Sequence, residues 1–418
     1  MNTAGKTISA RTERIRKDLE AMAAFTASPG RGMTRHSFSE EDKKTREYIR
    51  ARMEEAGLST YEDAAGSLFG GRAGKRADAP AIMIGSHFDS VKNGGDFDGP
   101  AGVVMGLEIA RTLHEHGVET EYPLEFAALV EEEGARFGGG LYGSRAMTGR
   151  VSREQLDTFK DRDGISAAEA MRSFGFDPDR IGEAVRPKGS LKAFIELHIE
   201  QGPILEAEGL DVGIVKTIVG ITQQEVEILG RPDHAGTTPM DMRANALLAA
   251  SETALFLDRA AREAGEGTVG TIGRMEVFPG GANIVPGRVF FTVDIRSVNN
   301  EKVTGLVSSL GAFLKEMETK HGVRTSITEK ITVAPVHMSE EIVGLFTEEA
   351  KKRGYSMRSM QSGAGHDAMI MAGITDVGLV FVPSKGGRSH CPEEWTDYEQ
   401  IAKGVNVILG AVLSLAGA

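Results

Sequence analysis

Five of the ten histidines in this 418-residue chain occupy one kind of place. His87 ends the apolar run "AIMIGS", and His198 lies at or near the end of "FIELHIEQG". His234, His366 and His390 fall in the glycine-bearing stretches "RPDHAGTTPM", "SGAGHDAM" and "SKGGRSHCPEEW". Carboxylates share this setting. Asp89 and Asp98 lie in "GSHFDSVKNGGDFDGPAGV", and Glu131, Glu132 and Glu133 follow the apolar run "YPLEFAALV". A lone histidine in such a place is more often a hydrogen-bonded core residue than a ligand, and an acidic triplet alone reads as a solvated turn. Five such histidines beside acidic strand ends point to a cation, because adjacent carboxylates resist desolvation unless positive charge compensates them. Imidazole and carboxylate donors without a thiolate suit zinc, manganese or cobalt. His114, His116 and His321 lie in charged helical contexts and read as surface residues, while His36 and His337 sit in polar connections.

Two other chemistries compete. "GGGLYG" places Gly138, Gly140 and Gly143 in the spacing of a dinucleotide fingerprint. A genuine fingerprint opens directly at a strand-to-helix turn. Here acidic residues separate it from the apolar run, where a pyrophosphate would have to sit. No G-x-S-x-G elbow appears, so a serine hydrolase of that kind is not indicated.

The elements that must carry these residues follow from hydrophobic patterning. "ARTERIRKDLEAMAAFT", "SEEDKKTREYIRARMEEAG" and "GVVMGLEIARTLHEHG" predict helices, and "APAIMIGS", "YPLEFAALV" and "LKAFIELHI" predict buried strands. Alternation of the two implies an α/β domain with a mostly parallel central sheet, whose chemistry gathers past the carboxyl ends of the strands. After about residue 212 the strands become period-two, interleaved with two helical segments, and near residue 331 the α/β pattern resumes. The expected organisation is a discontinuous catalytic domain, residues 1–212 and 332–418, with an α+β domain at 213–331 inserted in it.

Composition narrows the partners. A formal net charge of −12 argues against nucleic acid or an anionic membrane. No run of 18 apolar residues stands out, the opening residues lack the apolar core of a secretory signal, and the single cysteine, Cys391, permits no internal disulfide. The expectation is a cytoplasmic protein.

Taken in order, the blocks "GSHFDSVKNGGDFDGPAGV", "EEEGARF", "ELHIEQGP", "HAGTTPMDMRANAL", "ANIVPG", "DIRS", "SGAGHDAM" and "SHCPEEW" resemble the di-zinc amidohydrolases. That family includes N-carbamoyl-L-amino-acid hydrolase, allantoate amidohydrolase and β-ureidopropionase, and is related to co-catalytic zinc aminopeptidases. The resemblance spans residues 85–396. It implies an aminopeptidase-like catalytic domain and a ferredoxin-like insertion acting as lid and dimer contact. Two divalent ions per subunit (Zn, or Mn, Co or Ni) are implied, with Asp98 bridging, His87 and His198 on one ion, and Glu133 and His390 on the other. Asp89 would orient His87, and Glu132 would be the general base. His234 would donate to the oxyanion in a partner's site. Asn283 and Arg296 would hold a substrate carboxylate, with Gln201 and His366 lining the pocket.

The implied activity is cleavage of a ureido C–N bond in a small carboxylate-bearing substrate by a homodimer with composite sites. N-carbamoyl-L-amino acids lead, ahead of allantoate or N-carbamoyl-β-alanine and, more distantly, dipeptides. Arg388 departs from the small apolar residue expected before the last ligand and reads as solvent-facing. Asp96 reads as a loop-shaping residue. A dehydrogenase and a non-catalytic binding protein are the contrasting classes; the complete ligand set argues against the second.

Overall fold

The computed structural model describes residues 8–418. Two compact units emerge. The first takes in the described residues up to Lys216, with Met338–Met360 and Gly365–Ala418; the second is Thr217–His337 with Gln361–Ala364.

A nine-stranded mixed sheet organises the first unit. Its centre is four parallel strands in the order Leu124–Leu129, Ala81–His87, Leu191–Ile199 and Asp376–Val382. All of Leu124–Leu129 and nearly all of the other three are buried, as parallel strands covered on both faces must be. Leu68–Arg72 adds antiparallel to one flank and Val212–Ile218 to the other. The sheet is therefore mixed, with its four central strands in the expected parallel order.

Register brings the strand ends together. His87 lies opposite Leu129, one strand over, and His198 lies opposite Phe381. The segments after all four central strands thus leave from one edge, where side chains from distant parts of the sequence can converge.

The domain boundaries inferred from sequence at 213 and 331 each fall a few residues earlier in the chain than the observed divisions at Thr217 and His337. Val212–Ile218 pairs with Asp376–Val382 and so belongs largely to the main sheet, while Arg324–Val333 runs on beside Gly220–Leu229 as far as Val333. Period-two patterning marks antiparallel strands but is silent about which sheet receives them.

In the second unit a five-stranded antiparallel sheet has the order Met275–Phe278, Arg288–Ser297, Gly220–Leu229, Arg324–Val333, with Val269–Thr271 also on Arg288–Ser297. Gly220–Leu229 and Arg288–Ser297 alternate buried and less buried residues. The buried set, including Val226, Ile228, Phe291 and Val293, shares a core with Leu257, Leu310 and Leu314 of the helices Ala246–Ala264 and Asn300–His321. Phe256 and Phe313 stack where those helices meet, ring centroids 4.2 Å apart.

Tyr398–Ala416 is long and apolar enough, by composition, to cross a membrane, although charged and polar residues interrupt its apolar sequence. Its apolar residues serve the core of the first unit, with Ile401, Val405, Ile408, Leu409 and Val412 all fully buried there.

Two features fix the segment after His87. Arg35 is fully buried and donates from Nε to the Phe88 carbonyl and from Nη1 to the Met22 carbonyl and Thr45 Oγ1. Burial pulls its guanidinium down to about 10. The helix Pro100–Glu115 begins at a left-handed Gly99 (φ 80°), with Pro100 in the first turn where its missing N–H costs nothing. A Cβ at Gly99 would come within 2.3 Å of the His87 ring. One turn on, a Cβ at Gly102 would meet the Leu197 carbonyl at 2.4 Å and Ser86 Cβ at 2.5 Å. This helix therefore lies directly on two of the central strands.

Mid-helix Gly→Ala ordinarily stabilises by up to about 1 kcal/mol. Gly102→Ala is expected to do the opposite, costing about 1–3 kcal/mol through overpacking. Denaturant or thermal unfolding checks this; an unchanged or raised stability refutes the close packing.

Candidate metal centre and active site

Asp98 sits where the sequence-selected groups of the first unit meet. Its Oδ1 lies 3.0 Å from His198 Nε2 and 3.7 Å from His87 Nε2. Its Oδ2 lies 3.2 Å from His390 Nε2, which is itself 3.3 Å from Glu133 Oε1. One carboxylate therefore offers one oxygen to each of two donor groups: His87, Asp98 and His198, and Asp98, Glu133 and His390. His198 is oriented by its Nδ1, 3.0 Å from the Ile199 carbonyl, which leaves Nε2 facing Asp98.

The electrostatics show what this arrangement lacks. Burial would push His87 toward neutrality, but Glu132, Asp89 and Glu133 hold it well above the usual imidazole range. Hydrogen bonds to Asp98 and Glu133 carry His390 up to about 11. Burial raises Asp98, yet His198, His390 and His87 bring it well below the usual carboxylate range. Burial, Glu133 and Asp367 leave Glu132 well above that range, against the pull of His87. Imidazolium charge is thus compensating a surplus of buried carboxylate. His87 Nε2 is buried without a hydrogen-bond partner. Nitrogen and oxygen donors with lone pairs aimed into a negative enclosure fit divalent cations of the zinc, manganese or cobalt kind.

Glu132 Oε2 is 3.7 Å from His87 Nε2, on the same side of the enclosure. The loop reaches this geometry through a left-handed Glu131 (φ 55°), whose own carboxylate turns back to accept from the Arg136 and Phe137 N–H groups. Burial and Asp89 push Glu131 up to about 7. Asp89 does more than face His87 Nδ1 at 3.6 Å. Its Oδ1 accepts from the Glu132 N–H at 3.0 Å and its Oδ2 from the Glu133 N–H at 3.2 Å. It aligns both ends of the site, a role its spacing from His87 could not reveal.

"GGGLYG" finds a different explanation from nucleotide binding. Leu141 N–H donates to the Glu132 carbonyl, and a Cβ at Gly140 would approach that oxygen to 2.8 Å. The helix that follows, Tyr142–Met147, is only six residues long. These glycines let the chain return closely beneath Glu132.

Gln201, in the left-handed region (φ 56°), donates from Nε2 to Asp98 Oδ2 at 2.6 Å. His366 is buried, its ring centroid 4.5 Å from that of His198, and burial together with His198 keeps it neutral. Glu196 accepts from Ser86 Oγ and from the Ala368 N–H, joining the His198 strand to the start of the helix after His366. Arg388 is half-exposed and pairs with Glu393 at 3.0 Å.

Glu394 was not singled out from sequence. It is 4% exposed, its Oε1 accepts from the Phe97 and Asp98 N–H groups, and its Oε2 lies 2.7 Å from Ser389 Oγ. Burial and the neighbouring Asp98 raise it to about 7.

The second unit holds His234, Asn283 and Arg296. His234 is exposed, and its Nδ1 accepts from the Gly236 and Thr237 N–H groups at 3.0 and 3.2 Å. That pairing makes Nε2 the protonated nitrogen of the neutral ring, a hydrogen-bond donor. Asn283 lies beside it through the Ala235 N–H donated to the Asn283 carbonyl. Arg296 is bidentate to Asp294 and donates from Nη1 to the Gly363 carbonyl.

This geometry can be set beside known proteins. Residues 83–414 match the profile of peptidase family M20/M25/M40. The chain belongs to that family. Among its relatives is an N-carbamoyl-L-amino-acid amidohydrolase of Paenarthrobacter aurescens, 45% identical over 97% of this chain and 98% of that one. An allantoate amidohydrolase of Bacillus subtilis is 35% identical over 95% and 96%. A hydantoinase/carbamoylase family amidase from Burkholderia multivorans superposes with a TM-score of 0.88, at 36% identity, covering 99% of this chain and 100% of that one. The mixed α/β fold is therefore that of the M20 family, and the relatives of this chain are amidohydrolases acting on non-peptide C–N bonds.

Asp89→Asn replaces one acceptor oxygen by a donor and leaves either the Glu132 or the Glu133 N–H facing another N–H. Affinity for a divalent ion is expected to fall about 10–100-fold. Competition against a chromophoric chelator measures it; unchanged affinity refutes the aligning role.

Proposed function

We propose that this chain hydrolyses the ureido C–N bond of N-carbamoyl-L-amino acids, releasing the L-amino acid, CO2 and ammonia, with two divalent ions held by His87, Asp98, Glu133, His198 and His390. The observation that carries the reading is the sharing of Asp98 between two donor groups with Glu132 at their edge. When bound, a pair of cations supplies Lewis acidity toward the ureido carbonyl and toward water.

The remaining chemistry belongs to the side chains. Glu132, returned to its ionised form by the cations beside it, takes a proton from the attacking water and delivers it to the amino-acid nitrogen as the C–N bond breaks. The other product, a carbamate, decomposes to CO2 and ammonia. His234 Nε2–H donates to the oxyanion of the tetrahedral intermediate, a contribution of about 3–4 kcal/mol for a well-aimed donor. Arg296 presents the planar fork that suits a carboxylate, and the substrate carboxylate would replace its present partner Asp294. Asn283, one residue before the Ile284 that pairs with His234 in a two-stranded ribbon, adds a neutral donor to the same end of the substrate.

The reading includes a homodimer in which His234 serves the partner's site. Its support is the exposure of large apolar side chains on the second unit, Met240 at 72%, Leu255 at 71% and Met242 at 62%. Allantoate is the alternative substrate, since a relative at 35% identity carries that name.

The deciding experiment is ammonia release from N-carbamoyl-L-amino acids, N-carbamoyl-β-alanine, allantoate and simple dipeptides after zinc, manganese or cobalt loading. Fastest turnover of a carbamoyl-L-amino acid is expected; turnover of dipeptides alone refutes the assignment. Glu132→Gln should retain metal and lose turnover by about 10²–10⁴-fold, and wild-type-like rates would remove Glu132 as the base. Mixed dimers of Glu132→Gln and His234→Ala chains should regain activity. Verified heterodimers that stay inactive would place each site within one subunit.

A further inference from the structure

The segment that ends in Asp98 and the segment that carries His390 are held in register by one buried carboxylate that no metal requires as a ligand. Glu394 Oε1 accepts from the Phe97 N–H at 2.9 Å and the Asp98 N–H at 3.0 Å. Its Oε2 lies 2.7 Å from Ser389 Oγ, and the same hydroxyl lies 2.6 Å from Asp98 Oδ2. A closed circuit results: Asp98 backbone, Glu394 side chain, Ser389 side chain, Asp98 side chain. Ser389 is the residue before His390, so whatever sets Ser389 against Asp98 also sets His390 against it.

Three further observations show that the circuit is built. Gly95 leaves the room it needs, since a Cβ there would come within 2.2 Å of the Glu394 carboxyl. His390 is in the left-handed region (φ 57°), where a non-glycine residue is strained unless its neighbours fix it. On the far side of Glu394 the next residue, Trp395, packs edge-on against Phe97, ring centroids 5.2 Å apart. Polar and aromatic contacts from one short loop thus grip the same two residues, Phe97 and Asp98.

We propose that Glu394 is a positioning residue, acting through the Asp98 N–H and through Ser389 to set the separation of Asp98 from His390 and hence the affinity of one of the two cation positions. The proposal rests on the reading of Asp98, Glu133 and His390 as ligands.

The test compares the full-length wild type with Glu394→Ala, Glu394→Gln and Ser389→Ala, each stripped of metal and titrated with Co2+ alone against a competing chelator. Turnover and thermal midpoint are recorded alongside. Glu394→Ala and Ser389→Ala are expected to weaken one of the two Co2+ equivalents about 10–100-fold, with a much smaller change in the other. Turnover at intermediate Co2+ should fall in parallel and recover at high Co2+, with KM little changed. Glu394→Gln should stay near wild type, because its carbonyl still accepts both N–H groups and its amide donates to Ser389 Oγ.

Two wild-type-like affinities in both Glu394→Ala and Ser389→Ala would overturn the proposal, even if the thermal midpoint drops, since that pattern marks a residue that only stabilises the loop. Should Glu394→Ala not fold, Ser389→Ala decides by the same criterion. A wild type that takes up less than half an equivalent of Co2+ overturns this proposal together with the di-metal reading, whereas normal wild-type uptake with unresponsive variants overturns this one alone.

Discussion

The arrangement of the first unit depends on a single electrostatic constraint: Asp98 must present one oxygen to each of two sets of donors while buried among other carboxylates. Mutual repulsion and desolvation oppose that assembly. His87 and His390, both held above the usual imidazole range by the carboxylates around them, offset part of that charge. Everything that steers these groups serves to keep like charges close: the parallel strand ends, the left-handed turns at Glu131 and His390, and the helix beginning at Gly99. The same repulsion makes the place selective for a multivalent cation, which neutralises several carboxylates at the entropic cost of ordering one ion.

Alignment around Asp98 uses backbone N–H groups more than side-chain contacts. Asp89 takes those of Glu132 and Glu133, Glu394 those of Phe97 and Asp98, and Glu131 those of Arg136 and Phe137. Each acceptor satisfies groups that burial would otherwise leave unpaired, so orientation and solvation are met by the same bonds. The second unit applies the same device with a different acceptor, the His234 ring, whose tautomer is set by the N–H groups of Gly236 and Thr237.

Much of this was legible in the chain. Strand-ending histidines and the acidic run after "YPLEFAALV" announced a cation site because their chemistry is local: an apolar run followed by ligands marks the carboxyl end of a buried strand wherever it occurs. The ordered blocks carried the family resemblance. What stayed hidden depends on tertiary approach. Glu394 sits in "CPEEW" beside another glutamate, and only contact with Asp98, 296 residues away, distinguishes the two. Glu131 and Glu132 are likewise equivalent in sequence; the left-handed turn at Glu131 sends one carboxylate back to the loop and the next toward His87. Periodicity places residues 213–218 in the insertion, because pairing partners, unlike periodicity, cannot be read from one segment.

The separation of Ser389 from Asp98 by 291 residues has a consequence for biosynthesis. At a synthesis rate of about 5–20 residues per second, roughly 15–60 s pass between the emergence of the acidic half of the centre and the arrival of its last histidine. During that interval Asp98, Glu132 and Glu133 have neither His390 nor the Glu394 loop to order them. A nascent chain that captured a cation then would do so with an incomplete and different set of donors. An ion held by the complete set of donors, His390 included, would be taken up only once that last segment has emerged.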